Sequence, residues 1–140
     1  MDIKTIYELF PTDKDCMAHL EQIRWGNNPR CPYCNSDKIT PVSKENRFHC
    51  NKCYTSFSVT VGTIFHHTHT PIQKWFLAIA IILNDKKEIS VRKLAEEIQV
   101  NRNTSWQMIK KINKARVDHE QRNLLMKVYT SFKTFKNKEH

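Results

Sequence analysis

Two pairs of cysteines constrain this chain more than anything else in it. Cys31-Pro32-Tyr33-Cys34 and Cys50-Asn51-Lys52-Cys53 stand fifteen residues apart, the C-x2-C-x15-C-x2-C spacing of a metal site. Two residues between cysteines let one tight turn aim both sulfurs at a single ion. The intervening stretch is long enough for a strand out and a strand back, so the two turns meet across the metal. Four soft sulfur donors in a tetrahedral array favour zinc over iron, and four protein ligands leave no open position for water. Cys31, Cys34, Cys50 and Cys53 are therefore expected to hold one structural Zn2+ in a zinc ribbon.

The opening Met1-Asp2-Ile3-Lys4 lacks the basic-then-apolar layout of a signal peptide. A cytoplasmic, nucleoid-associated location is expected, where five cysteines do not form a disulfide framework. Cys16 has no close cysteine partner and is expected in the core. Around the metal motif, Arg47–His49 and Thr55–Val59 read as strands whose Phe48 and Phe57 cover a small core. Asn35, just after the first knuckle, suits the left-handed conformation. His49 reads as a surface or packing residue, and His66-His67-Thr68-His69 as a turn without metal.

Upstream, Ile3, Ile6, Tyr7 and Phe10 fall at helical spacing before Pro11. Thr12 reads as an N-cap with Asp13 and Asp15 in the first turn, where anions suit the helix dipole. Cys16, Met17, Leu20, Ile23 and Trp25 form that helix's apolar face, and Gly26-Asn27-Asn28-Pro29 ends it. Downstream, Trp75, Phe76, Ile79, Ile82 and Leu83 line a helix from Pro71 to Asn84-Asp85. Ser90 alone caps a second helix, Val91 to Ile98, with Leu94, Ala95 and Ile98 inward. After the turn Gln99–Arg102, Asn103 or Thr104 opens a third, with Trp106, Met108, Ile109 and Ile112 inward. Two helices joined by so short a turn, behind a supporting helix, describe a helix-turn-helix. Leu124, Leu125, Val128, Tyr129 and Phe132 give the remaining tail an apolar face that either folds back or dimerises.

The expected architecture is small and α+β: an N-terminal helical segment (1–28), the ribbon (29–65), a three-helix domain (70–117) and a helical or frayed tail (118–140). At 140 residues there is room for one compact domain or two small modules and not for a large enzyme. The longest apolar run, Trp75–Leu83, is far short of the ~20 residues a membrane span needs.

Charge points to the partner. Residues 1–30 carry −1, 31–70 carry +2 and 71–140 carry +8, making the formal +9. Between Ile98 and Val117 there is no acid, but Arg102, Lys110, Lys111, Lys114 and Arg116 are present. Such a segment suits a polyanion, here double-stranded DNA. Arg102, Asn103, Thr104, Ser105, Gln107 and Lys110 would face outward from the third helix toward base edges. Lys111 and Lys114, with Arg92 and Lys93 from the second helix, would reach phosphates.

Phe10-Pro11, Arg24-Trp25, the two knuckles, Arg47-Phe48, Phe57-Ser58-Val59-Thr60-x-Gly62-Thr63-x-Phe65 and Lys74-Trp75-Phe76 together resemble the N-terminal region of bacterial insertion-sequence transposases. These have a zinc ribbon, a helix-turn-helix and a DDE-type catalytic domain. The resemblance implies that the four cysteines hold zinc and that the helix around Asn103–Lys114 reads transposon ends. Beyond Val117 the acids are Asp118, Glu120 and Glu139, too few in so short a tail for a two-metal carboxylate site. The expectation is thus no enzyme but a transposase-derived, sequence-specific DNA-binding protein, at mobile-element ends or as a transcriptional regulator, and possible as a homodimer. Two other readings stand beside it: the recognition subunit or fragment of a transposase catalysed by a separate chain, and a zinc-ribbon module that docks onto protein.

Overall fold

A computed structural model describes residues 3–42, 44, 47–66, 69–84 and 88–138, with side chains through residue 132. The fold is α+β, with helices on both sides in sequence of a three-stranded antiparallel sheet. Helix α1 spans Ile3–Leu9 and α2 spans Asp13–Trp25. The sheet runs β1 (Ile39–Val42), β2 (Arg47–Cys50), β3 (Ser56–Phe57), in that order. Four helices follow: α3 (Ile72–Asn84), α4 (Val91–Ile98), α5 (Arg102–Val117) and α6 (His119–Lys138).

Local chemistry accounts for the ends of these elements. The Thr12 hydroxyl accepts the Asp15 amide at 3.2 Å and the Asp15 carboxylate accepts the Thr12 amide at 3.3 Å, a reciprocal box that starts α2. Ser90 accepts the Lys93 amide at 3.1 Å and starts α4 alone. Asn101, rather than Asn103 or Thr104, caps α5, its side-chain oxygen accepting the Thr104 amide at 2.7 Å. The third helix therefore begins at Arg102, and the turn shortens to Gln99–Asn101, with Gln99 left-handed at φ 60°. Asp118 breaks the chain between α5 and α6 and caps the latter by accepting the Glu120 and Gln121 amides at 3.0 and 3.1 Å.

Helix α3 is apolar on nearly every side. Ile72, Trp75 through Ala80 and Ile82 are all buried, so the helix cannot lie on a surface and becomes the axis of the molecule. All five other helices touch it. Phe10 at the end of α1, Phe76 in α3 and Phe132 in α6 meet at ring separations of 5.2–5.9 Å, a geometry that adds to simple burial. Cys16 lies in this core, as expected, and burial together with Asp13 and Asp15 pushes its thiol up to about 12. Leu125, Val128 and Phe132 are buried there too. The tail folds back onto α2, α3 and α5, so Leu125, Val128 and Phe132 of its apolar face belong to the core.

The ribbon has its own small core of Cys31, Cys50 and Phe57, bordered by Trp25, Ile39, Phe48 and Val61. Phe48 and Phe57 stack at 5.7 Å, and Trp25 sets its ring edge-on to both, at 5.3 and 5.9 Å. Strand β3 is shorter than the expected 55–59, because Val59 turns away into the helical core with Phe65.

Candidate metal centre and nucleic-acid face

The two knuckles are built alike. In each, the amide one residue beyond the second cysteine donates to the carbonyl of the first, Asn35 to Cys31 and Tyr54 to Cys50, both at 2.9 Å. Closing that turn drives Asn35 and Tyr54 into the left-handed region, at φ 63° and 61°. Asn35 follows the expectation from its residue type; Tyr54 adopts the same conformation because the knuckle requires it, not because tyrosine favours it. A second matching pair locks each turn: the Cys31 amide donates to Ser36 and the Cys50 amide to Thr55, both at 3.0 Å.

This backbone brings the four sulfurs together within 4.8 Å of one another. Cys31 and Cys53 lie 3.6 Å apart across the two knuckles, and Cys34 and Cys50 lie 3.5 Å apart. Tetrahedral zinc with sulfur at ~2.3 Å requires sulfurs about 3.8 Å apart, so the donors are set to receive the ion with little movement. Amides of Tyr33 and Cys34 point at the Cys31 sulfur at 3.4 and 3.5 Å, and the Cys53 amide at Cys50 at 3.5 Å. Hydrogen bonds from the Thr55 side chain and amide pull the Cys53 thiol down to about 6. The Cys53 amide likewise lowers Cys50. Four thiolates at this spacing repel one another, and a dication removes that repulsion. The cysteines hold one structural Zn2+, with every position filled by protein sulfur.

No described histidine joins the cluster. His66 lies in a turn, as expected, while His67 and Thr68 fall outside the described residues, as does Asp85 at the expected end of α3.

The ribbon is tied to the helices by residues whose purpose was not legible in the sequence. One Arg24 nitrogen donates to the carbonyls of Val59 at 2.7 Å and Val61 at 2.6 Å, and the guanidinium lies 5.1 Å from the Trp25 ring. A Cβ on Gly62, which has φ +80°, would approach Arg24 to 3.3 Å. Gln121 of α6 donates to the Gly62 carbonyl at 3.1 Å. Thr63 donates to the Thr60 carbonyl at 2.6 Å and receives the Phe65 amide at 3.1 Å, which turns Phe65 against Trp75.

The second group of expected site residues lies on α4 and α5. Arg92, Lys93, Arg102, Asn103, Gln107, Lys110 and Lys114 are exposed, and Thr104 and Lys111 are half-buried. Arg92 pairs with Glu96 at 3.3 Å on the surface of α4. The Lys111 ammonium lies 5.9 Å from the Trp75 ring of α3. Ser105 corrects the expectation. It is fully buried, with its hydroxyl donating to the Val91 carbonyl of α4 at 2.8 Å, and cannot face a ligand. Trp106, expected inward, is 49% exposed. Met108 and Ile112 are buried as expected and Ile109 is half-buried; the departure is at the first turn, where small Ser105 takes the inward place expected of Trp106 and lets α4 approach closely.

Comparison with known proteins gives two findings. Residues 11–56 match the family described as the transposase zinc-ribbon domain. Over 118 residues, 82% of the chain, it is 30% identical to an uncharacterized protein in transposable element ISH50 of Halobacterium salinarum, and spans 38% of that relative's length. No solved structure matches the chain.

Proposed function

We propose that this chain, which carries a transposase-derived zinc-ribbon region, binds double-stranded DNA sequence-specifically, at mobile-element ends or as a transcriptional regulator. In this reading α4, the turn Gln99–Asn101 and α5 form a helix-turn-helix supported by α3. One observation carries it: α5 has no acid along its length and exposes Arg102, Asn103 and Gln107 over its first turns. Those are the turns such a helix offers to base edges in the major groove. Asn103 and Gln107 are suited to adenine, Arg102 to guanine, and Thr104 to a base or phosphate. Lys110, Lys111 and Lys114, with Arg92 and Lys93, supply attraction to phosphates. The Arg92–Glu96 pair is exposed on both sides and is weak enough to exchange for a phosphate.

Selection of random duplexes on the zinc-loaded protein at two salt concentrations tests this. A recovered motif that persists at the higher salt is expected. Gln107→Ala should relax preference at one base pair, costing on the order of 1–3 kcal/mol. Lys114→Ala should weaken all duplexes alike and flatten the salt slope by roughly 0.9. Binding without sequence preference that disappears with salt would overturn the specific reading.

A second reading has its own support. The chain spans 38% of the ISH50 relative's length, which fits the recognition part of a larger transposase or of one divided between chains. Transposition that requires this chain together with a separate DDE-type polypeptide would establish it.

A further inference from the structure

We infer that Trp106 is a base-reading side chain that lies against the 5-methyl group of a thymine in the major groove; this rests on the reading of α5 as the groove helix. Of the three tryptophans, Trp75 is buried in the helical core and Trp25 is half-buried in the ribbon's aromatic cluster. Trp106 alone stands out from the surface, 49% exposed, one turn into α5. Its neighbours on that face are Arg102 and Asn103 on the turn before and Lys110 on the turn after.

The Lys110 ammonium lies 5.0 Å from the ring centroid, placing a cation on the indole. Packing fixes the phase of the helix. Ser105 is locked to the Val91 carbonyl at 2.8 Å, and Met108 and Ile112 are buried, so the residue after Ser105 must point outward. The indole is therefore presented by a rigid element and flanked by positive and amide side chains, with no acid on the helix.

The chemistry of the ligand follows from that combination. A basic, amide-bearing face takes a polyanion, and a large apolar ring in its middle needs an apolar spot on that polyanion. The major groove of duplex DNA has one such spot, the thymine 5-methyl group, within reach of a helix that enters with its N-terminal turns first. Adenine-reading amides at Asn103 and Gln107 would sit beside it, since every adenine is paired with a thymine.

The test uses the full zinc-loaded chain and the duplex recovered by selection, with each thymine replaced in turn by deoxyuridine. Wild type should lose about fourfold in affinity at one position, the effect of one buried methyl group. Trp106→Ala should bind the all-thymine duplex about tenfold more weakly and no longer distinguish thymine from uracil there. Trp106→Phe should retain part of the discrimination, and both variants should keep the wild-type melting temperature, because the ring is not part of the core. Trp106→Ala discriminating as well as wild type would overturn the inference. So would an altered sedimentation behaviour with unchanged DNA affinity, which would assign the ring to contact with a second copy. A wild-type chain that selects no duplex fails before any variant is compared, and removes the reading of α5 as well.

Discussion

Arg24 stands in the last turn of α2, where a basic side chain suits the helix dipole and looks like ordinary surface chemistry. Its side chain is instead half-buried, and a single nitrogen serves the carbonyls of Val59 and Val61. Removing it leaves both acceptors short of partners where water is partly excluded. Arg24→Met should lower stability by about 2–3 kcal/mol in urea unfolding, and the loss should fall on the ribbon's attachment and not on zinc affinity. His19 makes a different prediction. It lies among Phe10, Phe76 and Phe132 and is paired with Ser131 at 2.8 Å; desolvation holds its folded-state value below 6.5. The unfolded chain then binds the proton more readily than the folded one. Stability is full above about 6.5 and falls as pH drops through that value. Urea midpoints at pH 7.5 and 5.5 should show this fall, and His19→Gln should remove its share of it while leaving the zinc-ligand contribution in place.

At the scale of elements, the ribbon depends on its ion more than on its core. Three short strands around Phe57 bury little surface, and the binding free energy of zinc is what folds such a module. Excess chelator should release the metal and abolish the near-ultraviolet signal of the Trp25–Phe48–Phe57 cluster, while most helical circular dichroism persists; a single cooperative loss of both would contradict this. Much of this level was legible beforehand. The knuckle spacing, Asn35, the Thr12 and Ser90 caps and the place of Phe48 and Phe57 in the ribbon's core follow from local residue chemistry, and all stand in the structure. The first turn of α5 did not follow. Met108 and Ile112 are buried and Ile109 half-buried as expected, but at the first turn bulk favours Trp106 over Ser105 as the inward residue. Tertiary packing chose the second, because closeness to α4 rewards a small hydroxyl that can reach the Val91 carbonyl. The same limit explains Arg24 and Gln121, whose partners are distant in sequence.

For the whole molecule the governing fact is that one continuous core joins the N-terminal helices to α3 through α6. The helices before and after the ribbon pack as one body around α3, and Val59 and Phe65 join that body and not the ribbon's own core. Periodicity shows that a helix has an apolar face; it does not choose what meets it, so folding back and dimerising stood as equal expectations for the tail, and the structure places it against α2. Phe132→Ala should cost about 3–5 kcal/mol by opening a cavity against Phe10 and Phe76. Thermal unfolding should then show α2 and α6 losing structure together, and an unchanged melting temperature would refute the shared core.

That shared aromatic contact also sets an order in time. Phe10 leaves the ribosome long before Phe132, and at ~5–20 residues per second the N-terminal helices wait several seconds for the ring that completes their burial. The knuckles are made entirely within that interval and need no helix beyond Trp25 to bring four sulfurs together. Metal capture can therefore precede closure of the core, with the ion bound while α4 to α6 are still being synthesised.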